Sequence, residues 1–361
     1  MYNILVVDNS ALMRKLMCDI INETQEFTVV DKCSDVGVAF HRVQMNKFDA
    51  ITLNVAMESS NQKSLTQQLM ENGYHIPVIA ITYAIKEDRE LTMAAFESGV
   101  VEFVIRPFQM TQSQQESFKT HLLEALHVAV HDISNHHEVL ESTESFLSKT
   151  TKYRFSKAEK SKVSVASTEQ FGLIAIACST GGPQALHTFI PMLPAHIGVP
   201  VVIVQHMPAG FTASLAERLN LKSALQVKEA EDNELLLPDW VYIAPGGKHL
   251  SVVEDSNKKL RARVLETPPV RNLRPSADVM FESLEKLSIQ KILCVVLTGM
   301  GSDGTIGLFS LQKKKEIYVI TEQEDSCVVY GMPKAIVEAG LSNEEQSINK
   351  IAEAIIKKLG V

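Results

Sequence analysis

Positive charge is in deficit: 35 lysines and arginines stand against 43 aspartates and glutamates, a formal net charge of −8 in 361 residues. A protein that wraps nucleic acid needs a broad basic footprint to displace counterions from phosphates, so this balance argues against such a partner. Cysteine is sparse. The five present, Cys18, Cys33, Cys178, Cys294 and Cys327, are odd in number, widely spaced and without a CxxC pair. That pattern excludes a disulfide scaffold and fits a reducing cytoplasm. No uninterrupted apolar run approaches the ~18 residues of a membrane helix. The opening MYNILVVDNS lacks the basic and apolar regions of a secretion signal. The turn STGGPQAL after the run GLIAIAC carries neither GxGxxG nor GxxxxGK, and no cofactor is expected. The expectation is a cytoplasmic protein without membrane insertion, for which nothing demands more than a monomer.

What is present is an ordinary globular composition, 45% hydrophobic and 22% charged, in a chain too long for one core and suited to two domains. From residue 3 to about 107 the runs ILVV, FTVV, DAITL, PVIAIT and VEFVI alternate with helical patterns such as SALMRKLMCDIINE. Five strands alternating with helices predict a doubly wound (βα)5 parallel sheet, closed by a helix from about Gln109 to Val130. A Ser-, Thr-, Lys- and Glu-rich stretch then reads as a linker. Its Lys149, Lys152, Arg154, Lys157, Lys160 and Lys162 form a mildly basic patch that reads as a solvated tether. From Phe171 a second open, mainly parallel α/β pattern begins: GLIAIAC, VPVVIVQ, DWVYIA, ILCVVLTG and IYVIT. The expected division is 1–131, 132–170 as linker, and 171–361.

In the second half, three residue types fall at strand ends. GLIAIAC runs into STGGPQAL and places Ser179 where a strand gives way to a helix. Singly, Ser179 reads as a helix cap, His206 after VPVVIVQ as a structural histidine, and Asp303 in GMGSDG as a loop stabiliser. Jointly they lie on the rim where α/β sites assemble. They could act as a relay in which His206 takes the Ser179 proton, Asp303 fixes the tautomer, and amides near Met300 and Gly301 receive an oxyanion. The reaction class is acyl transfer to water. The GxSxG elbow is absent, and the order Ser, His, Asp differs from that of the common hydrolase fold.

The blocks IACSTGGPQAL, VVIVQHMPAGFTASLAERL, VYIAPGGKHL, RPSADVMFESL, VVLTGMGSDGTIGL and CVVYGMPKAI together resemble the catalytic domain of the CheB chemotaxis methylesterase family over residues 171 to about 361. The resemblance implies Ser179 as nucleophile, His206 as base and Asp303 as orienting carboxylate. It also implies the Met300 amide in the oxyanion hole and Thr180 beside the histidine. The implied activity is hydrolysis of γ-glutamyl methyl esters on chemoreceptors, with glutamine deamidation in some members. The implied partners are methyl-accepting receptors and the chemotaxis histidine kinase. The rival reading is a signalling adaptor that binds receptors or kinase without turnover. A third is a general small-ester hydrolase. Nearby, Cys178 reads as a core residue by strand alternation. His249 reads as loop-stabilising, and Arg271 and Arg274 as solvated loop cations.

LVVDNSALMR, ITLNVAM, PVIAIT and FVIRPF resemble the receiver domain that precedes the catalytic domain in this family. Measured against that resemblance, Asn54 stands at the phosphoacceptor, Asn9 replaces an acid, and Arg106 replaces the lysine, while Asp8 and Thr82 remain. An amide cannot form an acyl phosphate. Glu58 is close in sequence, but nothing places it over the pocket. The expectation is a receiver fold without phosphorylation. It would serve as a brake, a loosened lid or an adaptor, and a phosphorylation-independent docking or inhibitory module is the reading preferred.

Overall fold

The computed structural model describes residues 1–59, 64–108, 111–134 and 170–361. Most of the expected linker, its basic patch included, lies outside the described residues, as does the Glu58 side chain.

The first sheet is built from β1 (Tyr2–Val7), β2 (Phe27–Cys33), β3 (Ala50–Asn54), β4 (Val78–Thr82) and β5 (Val100–Ile105). Every pairing is parallel and the order is β2-β1-β3-β4-β5. β3 and β4 are buried along their whole length, as a sheet covered on both faces requires. Helices α1 (Ala11–Asn22), α2 (Val36–Met45), α3 (Leu65–Glu71), α4 (Lys86–Glu97) and α5 (Gln112–Ser134) connect or close it. α1 shows why these segments are helical. Ser10 caps its first turn, and Met13, Met17, Ile20 and Ile21 recur on one face, which is buried. The last helix starts at Gln112, three residues after the expected start.

The second sheet has seven parallel strands in the order β14-β13-β12-β6-β7-β9-β8. They are β6 (Leu173–Cys178), β7 (Val201–Gln205), β8 (Gln226–Glu229), β9 (Trp240–Ile243), β12 (Lys291–Val296), β13 (Glu316–Glu322) and β14 (Glu344–Gln346). An antiparallel hairpin, β10 (His249–Glu254) with β11 (Leu260–Leu265), is inserted after β9. The helices are α6 (Gly182–Phe189), α7 (Phe211–Lys222), α8 (Ala277–Ser283), α9 (Thr305–Leu311), α10 (Met332–Glu338) and α11 (Ile348–Leu359). All six residues of β6 are buried at the sheet centre. Each fully buried Leu or Ile there contributes about 1.5–3 kcal/mol. After β6 the chain first builds outward through β7, β9 and β8, then returns to build β12, β13 and β14 on the other side. The sheet therefore has its topological switch point at the carboxyl ends of β6, β7 and β12.

The two domains are in direct contact. Phe103 of β5 stacks on Phe211 at the start of α7, with ring centroids 4.6 Å apart. Glu97, at the end of α4, accepts from Arg218 Nε at 2.6 Å and pairs with Lys222 at 2.6 Å. Burial alone would raise the Glu97 pKa. The bonds from Arg218 and Lys222 overcome this and hold it down at about 2.

Candidate active site

Ser179 follows β6, His206 follows β7, and Asp303 sits in the turn between β12 and α9, so all three occupy the switch-point rim. Neighbouring strand ends are tied to one another by backbone bonds. The His206 amide donates to the Cys178 carbonyl at 3.1 Å, and the Ser179 amide donates to the Thr298 carbonyl at 3.0 Å. His206 Nε2 lies 2.9 Å from Asp303 Oδ2, and both side chains are buried. The imidazole is thus oriented through Nε2, leaving Nδ1 for other chemistry. The Ser179 hydroxyl, half-buried, makes no hydrogen bond among the described residues.

Asp303 is held more tightly than a loop carboxylate. Ser276 Oγ donates to it at 2.9 Å, and the Ala277 and Asp278 amides donate at 2.5 and 3.2 Å. Burial alone would raise its pKa. The His206 bond and charge, the Ala277 amide and the Ser276 hydroxyl outweigh burial and hold it below the ordinary carboxylate value. Asp278 in turn accepts from the Gly304 and Gly307 amides, at 3.0 and 2.7 Å, and so pins the Asp303 turn to α8.

Arg271 is exposed, as expected from sequence, but it is not free. It pairs with Asp278, and its Nη2 lies 4.0 Å from Asp303, because the segment before α8 folds back over the carboxylates. Arg274 is half-buried and, among the described residues, donates to the Thr267 carbonyl at 3.1 Å. His249 is buried with Nε2 3.1 Å from the Pro268 carbonyl, consistent with bracing a loop. Cys178 is fully buried in the core.

Met300 lies in the turn after β12, its amide without an acceptor among the described residues and its side chain exposed. Gly299 sets the distance between that turn and Ser179. A Cβ at 299 would lie 2.8 Å from Ser179 Cβ and 2.6 Å from Met332 Sδ, so only glycine permits the approach. The Glu102 carboxyl of β5 lies beside the Thr180 hydroxyl, and burial raises its pKa against the opposing pull of that hydroxyl. The first domain therefore reaches the residue adjacent to Ser179.

Beneath the turn, Glu322 ends β13 and is almost fully buried. It accepts from the Thr298 amide at 2.9 Å and the Ser326 hydroxyl at 3.0 Å. Burial pushes its pKa up to about 7. The folded protein therefore keeps a proton that the unfolded chain has lost, so stability falls as pH rises from the ordinary carboxylate range to about 7, by about 3 kcal/mol in all. Glu322→Gln keeps an acceptor for Thr298 without the buried charge. Its melting temperature relative to wild type is expected to be higher at about pH 8 than at about pH 5. A relative melting temperature independent of pH would contradict this assignment.

The pocket of the first sheet has a different character. Asn54 is buried and donates from Nδ2 to Asn9 Oδ1 at 3.1 Å. Asp8 is fully buried and pairs with Arg106 Nη1 at 3.3 Å, while Arg106 lies over the Tyr83 ring at 4.4 Å. The Thr82 hydroxyl accepts from Thr92 at 2.9 Å and is turned toward α4. A Mg²⁺ ion is held by oxygen ligands, usually one or two free carboxylates beside waters and phosphate. Among the described residues this pocket offers one carboxylate already neutralised by a guanidinium, together with two amides bonded to each other, so these residues do not fit the ion. Among the described residues no group of three His, Cys, Asp or Glu could hold a metal.

A five-stranded receiver-type domain set against a seven-stranded α/β domain with Ser, His and Asp on its switch-point rim defines a two-domain α/β protein of the hydrolase kind. The CheB methylesterase family model matches residues 174–355, and the response regulator receiver domain model matches residues 4–116. The chain is 38% identical over 355 residues to the protein-glutamate methylesterase/protein-glutamine glutaminase of Bacillus subtilis (strain 168), covering 98% of each chain. It is 36% identical over 358 residues to the protein of the same name from Geobacillus kaustophilus, covering 99% of this chain and 98% of that one. The crystal structure of the Thermotoga maritima CheB methylesterase catalytic domain matches with a TM-score of 0.50 and 41% identity, covering 52% of this chain and 99% of that one. The chain belongs to the CheB methylesterase family.

Proposed function

We propose that this protein hydrolyses γ-glutamyl methyl esters on chemoreceptors, with Ser179 as nucleophile, His206 as base and Asp303 as the group that orients it. The observation that carries the reading is the 2.9 Å bond from His206 Nε2 to Asp303, at a strand end adjoining Ser179. Asp303 keeps the proton on Nε2, so Nδ1 accepts the Ser179 proton as Oγ attacks the ester carbonyl carbon. The Met300 amide, which has no acceptor among the described residues, receives the oxyanion. Collapse of the tetrahedral intermediate expels methanol, which takes the proton from Nδ1. Water, deprotonated by the same nitrogen, then attacks the glutamyl-Ser179 ester, and Nδ1 returns that proton to Ser179 Oγ as the glutamate leaves. A glutamine substrate follows the same course with ammonia leaving. The chemistry calls for no cofactor.

The partners in this reading are the cytoplasmic helices of methyl-accepting receptors and the chemotaxis histidine kinase, and the compartment is the cytoplasm. Among the described residues no helix is long and apolar enough to cross a membrane. The proposed division is a receiver-like domain over 1–131, a linker over 132–170 and the esterase domain over 171–361. The receiver acts as a phosphorylation-independent inhibitory module. Its support is the contact of Glu102 with Thr180, next to the nucleophile, and an anion pocket balanced from within by Arg106. A serine-directed phosphonate is expected to label Ser179 and to abolish methanol release in proportion to labelling. Full labelling with undiminished release would overturn the reading. Acetyl phosphate with Mg²⁺ is expected neither to label the first domain nor to change the rate. The pair Glu97→Ala and Phe103→Ala, which loosens the domain contact, is expected to raise the rate about 10-fold, a population shift of about 1.4 kcal/mol. A phosphodonor response would contradict the receiver assignment. An unchanged rate in the loosened variant would contradict the inhibitory one.

A further inference from the structure

Gln205 is the last residue of β7 and is 1% exposed. Its side-chain amide donates from Nε2 to the Ser179 carbonyl at 2.9 Å and to the His206 carbonyl at 3.3 Å. One NH2 group thus holds the main chain of both residues whose separation governs proton transfer. The Ser179 carbonyl has one other donor, the Gly182 amide at 2.7 Å. The His206 carbonyl has none among the described residues. At the far end of the side chain Oε1 is buried without a partner. The opposite amide orientation would set oxygen against two carbonyl oxygens, so the arrangement satisfies the nucleophile and base carbonyls at the expense of Oε1. A buried acceptor left unsatisfied in a native core calls for an explanation, and holding the nucleophile and base is one. The space is reserved as well: a Cβ on Gly182 would lie 2.0 Å from Oε1.

We propose that Gln205 is a positioning residue that clamps the Ser179 and His206 backbones at the separation needed for proton transfer from Oγ to the imidazole. The inference rests on the reading of Ser179 as nucleophile. Rigid supports of this kind govern rate because small misplacements of reacting groups are costly, and they leave substrate affinity untouched.

The test uses Gln205→Met in the full chain. This variant removes one orphaned acceptor, Oε1, and creates another, the His206 carbonyl, so melting within about 3 °C of wild type is expected. With methylated receptor fragments, kcat is expected to fall about 30-fold with KM within about twofold. Labelling of Ser179 by a fluorophosphonate should slow by a similar factor. Wild-type kcat and labelling rate in Gln205→Met would overturn the proposal, as would a rise in KM that accounts for the whole loss.

Gln205→Glu supplies an independent readout should the methionine variant fold poorly. A buried carboxyl facing carbonyl oxygens donates only when protonated, so the ratio of its labelling rate to that of wild type should rise from about pH 8 to about pH 6. A flat ratio would overturn the proposal. If wild-type protein releases no Ser179-dependent methanol, the methylesterase reading fails, and the phosphonate labelling rates still decide whether Gln205 positions the serine.

Discussion

Replacing Asp303 by asparagine is expected to lower kcat by about 10³- to 10⁴-fold, or about 4 to 5.5 kcal/mol of transition-state stabilisation. Both carboxylate oxygens are already occupied as acceptors. Oδ1 takes the Ser276 hydroxyl and the Asp278 amide, while Oδ2 takes the Ala277 amide and His206 Nε2. An asparagine must present an NH2 where one of these oxygens stood, and three of the four donors are backbone or hydroxyl groups fixed by α8. The adjustment that costs least puts the NH2 against the imidazole. Nε2 then becomes the acceptor, the ring proton moves to Nδ1, and the nitrogen that faces the serine loses its basicity. The signature is a loss in kcat with KM little changed. A loss of less than about 10-fold would mean that Asp303 only supports the loop.

Ser179→Ala is expected to reduce methanol release by about 10⁵-fold or more, leaving a residue supplied by binding and by the Met300 amide. Because the Ser179 hydroxyl makes no hydrogen bond among the described residues, its removal should leave melting within about 2 °C of wild type. The decisive feature is non-additivity. His206 acts only on the proton of that hydroxyl, so adding His206→Ala to Ser179→Ala should cost less than about threefold more. A double variant far below the serine variant would show that the histidine activates water directly.

The parallel sheets and the rim were legible in the sequence for a physical reason. Central strands buried on both faces read as unbroken apolar runs, and β6, β7 and β12 each end such a run shortly before a polar residue and a glycine turn. β8 and β14 escaped the reading. They are short, and their QVKE and EEQ carry no apolar run to mark them. The supports of the site were hidden for a different reason. Arg271 and Ser276 lie far along the chain from the aspartate they assist, and only the folding of the segment before α8 against the β12 turn brings them together. Glu102 did leave a mark, an acid inside the apolar strand VEFVI, which in retrospect pointed to a partner across the domain contact. Gln205 left none, since a glutamine at a strand end is usually solvated. That an amide, Asn54, ends β3 was readable in the sequence itself. That Arg106 fills the role of counterion to Asp8 required the fold.

The central claim is that Ser179, driven by His206 and Asp303, cleaves glutamyl methyl esters. The most direct measurement is methanol release from methylated receptor cytoplasmic fragments by the full-length chain, with Ser179→Ala assayed in parallel. The account predicts steady release by wild type and none above background by the variant. Equal release by both proteins, or none by wild type under conditions where a known methylesterase demethylates the same fragments, would contradict it.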